Sequence, residues 1–351
     1  MNSASTRLAN RAKAVLAYRR GNVEIDYFPP EVWIELTSEC NLACIMCPTG
    51  LGLVTRPTGF MSFDMFRTII DDVAPHRPTI MMFLGGESLL NKKAIEMIAY
   101  AKSREVTVSL NTNGTVFTEK LFRALLEVGL DSMTFSFDGY TKAVYERIRV
   151  KANYEKVIAN IQAFLGIKKE LGLVKPFVTI YTLAVMEESL ENEAEFRRHF
   201  GGLPVDRFSV DTPRNWAGVL ASGGEVQLTE MGNRVTPCHR VWKTTAVLWD
   251  GTVVPCCADF SGDMPMGNVK DQPLTELLNT EKYRQLRRAM VERDLDAYPL
   301  CRGCDEIRPK KTIAGVPVDM LNSFKSEIAE AVLGERTTGW LRRMRYRDQR
   351  Q

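Results

Sequence analysis

Eight consecutive residues, Cys40-Asn41-Leu42-Ala43-Cys44-Ile45-Met46-Cys47, carry three thiols spaced C-x3-C-x2-C. A short loop can turn three such side chains toward one point. Thiolates are soft ligands for iron–sulfur clusters, and a 4Fe–4S cube is fully ligated by four of them. Three would leave one iron open to bind and activate a small molecule. A zinc site, or three thiols with no common role, is the alternative.

The surrounding pattern says what could hold such a loop. From residue 32 onward, short apolar runs alternate with amphipathic stretches. Strands are expected at 32–37, 80–84, 106–110, 133–137, 177–183 and 208–210. Helices are expected between them. Ser62 caps one with Phe66, Ile69, Ile70 and Val73 inward; the next, 91–103, has Ile95, Ile98 and Ala99 on one face. Thr118 starts a third with Leu121, Phe122, Leu125 and Leu126, closed by Gly129. Residues 154–171 form a long helix with Val157, Ile158, Ile161 and Leu165 inward, and 188–200 another. Six such units imply a parallel sheet covered by helices, an α/β partial (β/α)6 barrel. Chemistry in such folds belongs at the C-terminal ends of the strands. Cys40, Gly85, Asn111, Asp138 and Asp211 all fall at or just past expected strand ends.

At 351 residues the length suits about two domains. The texture changes after Asp211. Residues 212–310 hold the other five of the eight cysteines, Cys238, Cys256, Cys257, Cys301 and Cys304, among glycines and prolines. Four units are therefore expected: a basic helical extension at 1–30, a core barrel at 31–215, a small metal-stapled domain at 216–310, and a helix with an Arg-rich tail at 311–351. In the extension, Leu8, Ala12, Val15 and Leu16 would line one face of a surface helix capping the barrel, ended by Pro29-Pro30. A net charge of +3 gives no argument for nucleic acid as a partner. No stretch reads as a signal peptide or a membrane span, so a cytoplasmic location is expected. Disulfides are rare there, which points the cysteines toward metal. The three histidines, His76, His199 and His239, offer no hydrolase centre.

Cys40-x3-Cys44-x2-Cys47 after a first barrel strand resembles the signature of the radical S-adenosylmethionine (radical SAM) enzymes. The resemblance implies a 4Fe–4S cluster on these three cysteines. Its open iron chelates SAM, and an electron from it cleaves SAM to a 5′-deoxyadenosyl radical that abstracts hydrogen from the substrate. Further segments are similar to the family's in the same order. Gly85-Gly86-Glu87-Ser88 resembles its GGEP turn, with Ser88 in place of proline; Asn111-Thr112-Asn113-Gly114 resembles its TNG segment. Ser136-Phe137-Asp138-Gly139 resembles its S-x-D-G strand end. Arg149 stands where an Arg-Gly pair is usual, with Val150 replacing the glycine. These matches imply that Gly85, Gly86, Glu87, Asn111, Asn113, Ser136, Asp138 and Arg149 contact SAM, Arg149 through the SAM carboxylate.

Trp249-Asp250-Gly251-Thr252-Val253-Val254-Pro255-Cys256-Cys257 and Met266-Gly267-Asn268-Val269 resemble the SPASM/twitch extension of the same superfamily. Cys238, then 17 residues, Cys256, then 44 residues, and Cys301-x2-Cys304 would hold one auxiliary 4Fe–4S cluster. Cys257 is surplus, and a four-thiolate zinc site is the alternative. The implied fold is thus a partial barrel with a small C-terminal twitch/SPASM-like domain. The implied activity is an oxidoreductase or lyase acting on a small polar molecule such as a carbohydrate, aminocyclitol or nucleoside. An electron donor such as flavodoxin or ferredoxin would serve it. Ribosomal-peptide maturation and sugar dehydration or decarboxylation are alternative reactions; a non-enzymatic Fe–S or zinc scaffold is the alternative of another class. Tyr181, Asp211, Arg214, Asn215 and Trp216 are the candidate substrate contacts, since the last strand and its exit should overhang the barrel mouth.

Overall fold

A computed structural model describes residues 3–220, 226–309, 312–313 and 316–318. The helix and Arg-rich tail expected at 311–351 lie almost wholly outside these residues. The first element, α1 (Ser3–Arg20), does not bury the expected aliphatic face. It buries Arg11, Ala14, Ala17 and Tyr18, and Leu16 stays 47% exposed. Two alanines let the helix backbone come close to its support. Tyr18 then donates to the Pro237 carbonyl at 3.2 Å and meets Trp242 edge-on. Arg11 enters because Glu31 receives it at 3.1 Å.

Six βα units follow in chain order: β1 (Glu31–Ile34), α2 (Phe63–Val73), β2 (Thr79–Met82), α3 (Ala94–Ser103), β3 (Thr107–Thr112), α4 (Glu119–Glu127), β4 (Ser132–Ser136), α5 (Lys142–Ile148), α6 (Tyr154–Glu170), β5 (Phe177–Leu183), α7 (Glu193–Arg198) and β6 (Arg207–Asp211). The strands pair in parallel with sequential neighbours, from β1–β2 to β5–β6. This is the wound parallel sheet that alternating apolar runs and amphipathic helices dictate. Strand residues pointing under the helices, such as Ile80, Val108, Met133 and Ile180, are buried. Their alternates Ser109, Thr134, Thr179 and Tyr181 turn to the opposite, concave face. The expected caps form: Ser62 accepts from Met65 N and Thr118 from Leu121 N. In α3 the buried face is Ala94, Met97, Ile98 and Ala101, not one centred on Ile95 and Ala99. The helix starts three residues later than expected, because Ser88–Leu90 makes a separate 3-10 turn before it.

The sheet continues beyond β1. After α8 (Arg240–Lys243), strand β7 (Thr244–Val247) pairs in parallel with β1, and β8 (Thr252–Val254) and β9 (Gly267–Asn268) add antiparallel strands. Among the described residues the order is β6-β5-β4-β3-β2-β1-β7-β8-β9. The C-terminal region thus extends the barrel sheet at its first strand. Helices α9 (Leu274–Leu277), α10 (Glu281–Glu292) and α11 (Pro299–Gly303) complete it.

Candidate functional site

The 40–47 loop begins just past β1 and is held by contacts to neighbouring segments. Ala43 N and Ile45 N donate to the carbonyls of Val150 and Ile148, both at 3.1 Å. Leu42, Cys44 and Met46 pack with Ile148, Val185 and Met186. Gly50 lies so close that a Cβ there would be 2.5 Å from the Cys44 backbone, a contact only glycine permits. Cys44 is buried, while Cys40 and Cys47 are half-buried. Burial pushes the Cys40 thiol up and that of Cys44 up to about 12. Such thiols stay protonated at neutral pH unless a cation takes the proton's place. Asn113 donates to Asn41 Oδ1 at 2.9 Å, with Cys40 Sγ at 3.9 Å.

The glycine pair does its work against the protein. A Cβ on Gly86 would lie 2.4 Å from the carbonyls of Thr37 and Glu39. Glu87 N donates to Glu39 O at 2.9 Å. The Glu87 carboxylate turns inward, accepting from Asn113 N at 2.7 Å and Leu89 N at 3.2 Å. Its side chain is thus a brace between two strand-end loops, where SAM contact was expected. Ser88, in the usual proline's place, donates to Met82 O at 2.8 Å, so the hydroxyl anchors this turn. Asn111 lies within β3, short of the loop.

Asp138 and Arg149 form one buried unit. Asp138 accepts from Arg149 Nη2 at 2.6 Å and from Leu183 N at 2.7 Å. Arg149 Nε is buried without a partner among the described residues. The Arg149 charge is felt at Cys40, Cys44 and Glu87. Nη2 is therefore committed to Asp138, and Nε has a donor to spare. Ser136 ends β4 in register with Tyr181 on β5.

The exit from β6 divides its expected contacts. Tyr181 donates to Asp211 Oδ2 at 3.4 Å, and Asp211 is exposed. Asn215 is turned into the protein, donating to Gly303 O at 2.8 Å and exchanging bonds with the Asp305 backbone and carboxylate. Trp216 donates to Met46 O at 2.9 Å and meets Phe260 edge-on at 5.0 Å. Asn215 thus ties the β6 exit to the C-terminal region, and half-buried Trp216 ties it to the cysteine loop. The turn that allows this puts Trp216 and Ala217 at φ 48° and 58°, a conformation costly for residues with a Cβ.

Cys238, Cys256, Cys301 and Cys304 come from three separate segments and line one concave space. Val241, Met264, Met290, Leu300 and Ile307 make its wall apolar. Burial pushes all four thiols up, Cys301 and Cys304 to about 12. Cys257 turns away and accepts from Arg240 Nη1 at 3.5 Å. Among the described residues no three His, Cys, Asp or Glu side chains converge closely enough for a single metal ion. The thiols stand around a space, as a cluster with its cysteines on separate irons requires. The donor set and its apolar wall fit such a group.

Two features escaped the sequence reading. Glu35, fully buried, takes Arg56, Gly85 N at 3.3 Å and Trp249 N at 3.1 Å, joining the glycine turn to the C-terminal region. Arg240 and Glu306 pair at 2.6 Å on the wall of the second cavity. Each lies two residues from a cavity cysteine, the one signal available.

The model of the radical SAM superfamily matches residues 34–195, and that of the SPASM iron-sulfur cluster-binding domain matches 238–305. A tungsten-containing aldehyde ferredoxin oxidoreductase cofactor-modifying protein of Pyrococcus furiosus is 24% identical over 318 residues, 78% of this chain and 86% of that protein. Among solved structures, BtrN in complex with AdoMet and 2-DOIA has a TM-score of 0.55 at 18% identity, covering 80% of this chain and 94% of BtrN. Streptococcus suis SuiB bound to precursor peptide SuiA has a TM-score of 0.61 at 13% identity, covering 84% of this chain and 73% of SuiB. At these identities the two structures show the fold.

Proposed function

The chain belongs to the radical SAM superfamily and carries a C-terminal SPASM domain, with the SAM and iron–sulfur clusters those domains imply; from this we propose that it is an oxidoreductase that takes two electrons from a small hydroxylated substrate. Cys40, Cys44 and Cys47 hold the SAM-binding 4Fe–4S cluster. Cys238, Cys256, Cys301 and Cys304 hold a second, fully ligated one. The observation that carries the reading is the cavity those four cysteines line together, tied to the first loop through Trp216 and Met46.

When bound, the first cluster with SAM supplies a 5′-deoxyadenosyl radical for hydrogen abstraction, and the second supplies an acceptor for one electron. The residues supply position and a proton route. Asp138 fixes Arg149, whose unpartnered Nε would be the donor for the carboxylate of SAM. Ser109, Thr134, Thr179 and Tyr181 offer neutral hydrogen-bonding groups on the concave sheet face, which suits hydroxyls. Asp211 Oδ2, oriented by Tyr181, takes the proton of the hydroxyl on the carbon that has lost its hydrogen atom. Carbon–hydrogen homolysis, that proton and one further electron together leave a carbonyl. A flavodoxin or ferredoxin supplies the initiating electron.

A second reading rests on the Pyrococcus relative, whose match spans most of both chains: the substrate is a precursor of another enzyme's cofactor. Incubation of the reconstituted enzyme with deuterated aminocyclitols, sugars and nucleosides, and separately with precursors of enzyme cofactors and short peptides, decides among them. Deuterium in 5′-deoxyadenosine and a carbonyl product from the first group support the proposal. Label only from a precursor or a peptide overturns it.

A further inference from the structure

The cavity shared by Cys238, Cys256, Cys301 and Cys304 has a mainly apolar lining that also includes charged residues. Arg240 and Glu306 stand on its wall. Arg240 Nη2 donates to Glu306 Oε1 at 2.6 Å, and Nη1 reaches Cys257 Sγ at 3.5 Å. Arg214, on the segment leaving β6, brings Nη1 to 4.0 Å from the same Glu306 oxygen. The Glu306 side chain is only 8% exposed. Asp259 is the other carboxylate on the wall, and backbone amides of Asp263 and Met264 hold its oxygens, both at 2.9 Å. The array therefore sets two cations around one anion where the other lining residues are mainly apolar.

A pair of charges in this position is a poor way to build a wall, since apolar side chains of similar volume do as well or better. It is an effective way to set a field. Reduction adds one electron to whatever the cysteines hold. In surroundings of low polarity, an adjacent fixed cation stabilises that added charge and an anion opposes it. Burial and nearby charge are among the factors that fix cluster potentials.

We propose that Arg240, Glu306 and Arg214 set the reduction potential of the second cluster, the arginines raising it and Glu306 lowering it. The inference rests on the assignment of that cluster to the four cavity cysteines. Its consequence is directional. A higher potential makes the cluster a better acceptor for the electron that leaves the substrate. The Glu306 charge is felt at Cys238 and Cys304 and that of Arg240 at Cys238; Arg214, at the far side of Glu306, has a smaller effect of the same sign as Arg240.

The test is an EPR-monitored redox titration of the full-length Cys40→Ala/Cys44→Ala/Cys47→Ala variant, in which only the second cluster remains. Arg240→Gln should lower the reduced-to-oxidised ratio at fixed ambient potential about tenfold, which is ~59 mV for one electron. Glu306→Gln should raise it, Arg214→Gln should lower it less, and Arg240→Lys should restore it. Shifts in one common direction, or changes under about twofold, at a full complement of about four iron per chain overturn the proposal. Should Arg240→Gln lose its iron, Glu306→Gln and the more exposed Arg214→Gln decide the matter. Loss of iron in all three would make the array structural and also sink the proposal. A triple-cysteine background that holds no iron is a different failure, that of the cysteine assignment itself.

Discussion

The two cysteine sets are built in opposite ways. The first lies within eight residues, and its loop is held by backbone bonds from Ala43 and Ile45 to a neighbouring segment and by an apolar underside. The second draws its thiols from segments separated by tens of residues and gathers them around an apolar cavity. A three-thiol set would leave one iron position open for a ligand, whereas four thiols would ligate a cluster completely. The difference supports the proposed division, in which the first set binds a molecule and the second holds charge.

The largest effect that could break this division is at Cys44. Cys44→Ala should abolish formation of 5′-deoxyadenosine from SAM and dithionite, and iron should fall from about eight to about four per chain. Continued SAM cleavage would mean the open site lies elsewhere. Cys256→Ala should give the converse: the same loss of iron, SAM cleavage retained, and oxidised product gone. Cys257→Ala should keep about eight iron, because its thiol faces Arg240. If Cys257 and Cys256 behave alike, the boundary drawn around the second set is wrong.

Metal removal sharpens the contrast. After anaerobic chelation, the amides of Ala43 and Ile45 should keep their protection in hydrogen exchange, because their acceptors are on another segment. The amide of Cys304, bonded only to the carbonyl of Cys301 three residues away, should exchange much faster, since metal binding and local folding are linked there. Equal loss at both sites would show that the first loop also needs its cluster to form. A related test addresses what stands behind that loop. Asp138→Ala leaves the Arg149 charge buried and unpaired, at a cost of about 3–5 kcal/mol, read as a fall in the urea midpoint at unchanged slope. A change below about 1 kcal/mol would show that water reaches Arg149.

Sequence made the first region legible and the second only partly so. Cys40, Cys44 and Cys47 are neighbours along the chain, and the alternation of apolar strands and amphipathic helices places their loop at a strand end. The caps at Ser62 and Thr118 were readable because capping is local. What escaped is what depends on topology. Nothing near Thr244 says that β7 will pair with β1, and so nothing near Glu35 says that Trp249 will reach it. Asn215 and Trp216 read as mouth residues from their place after β6. Their actual partners, Gly303 and Met46, are 88 and 170 residues away. Helix α1 shows the same limit: its buried face was chosen by a partner surface, and two alanines and a paired arginine fitted that surface better than leucines.

The smallest expected effect lies at the seam between the two regions. Glu31 opens β1, and its carboxylate meets Arg11 of α1 and Lys243 at the end of α8, both at 3.1 Å. Burial alone would raise its pKa, but Lys243 and Arg11 together overcome this and hold the carboxyl at about 2, against an ordinary 4.5. A depressed folded value stabilises the protein fully above pH 4.5, and that contribution drains away as the pH falls from there through about 2. The difference corresponds to about 3 kcal/mol. Iron–sulfur centres are themselves lost in acid, so the informative quantity is the stability difference between the wild-type protein and Glu31→Gln at each pH. It should be constant from pH 7 to 5 and shrink steadily below pH 4.5. A difference that stays flat down to pH 3 would mean that the strand, the N-terminal helix and the C-terminal region are joined there by packing alone, and that the seam carries no charge-based lock.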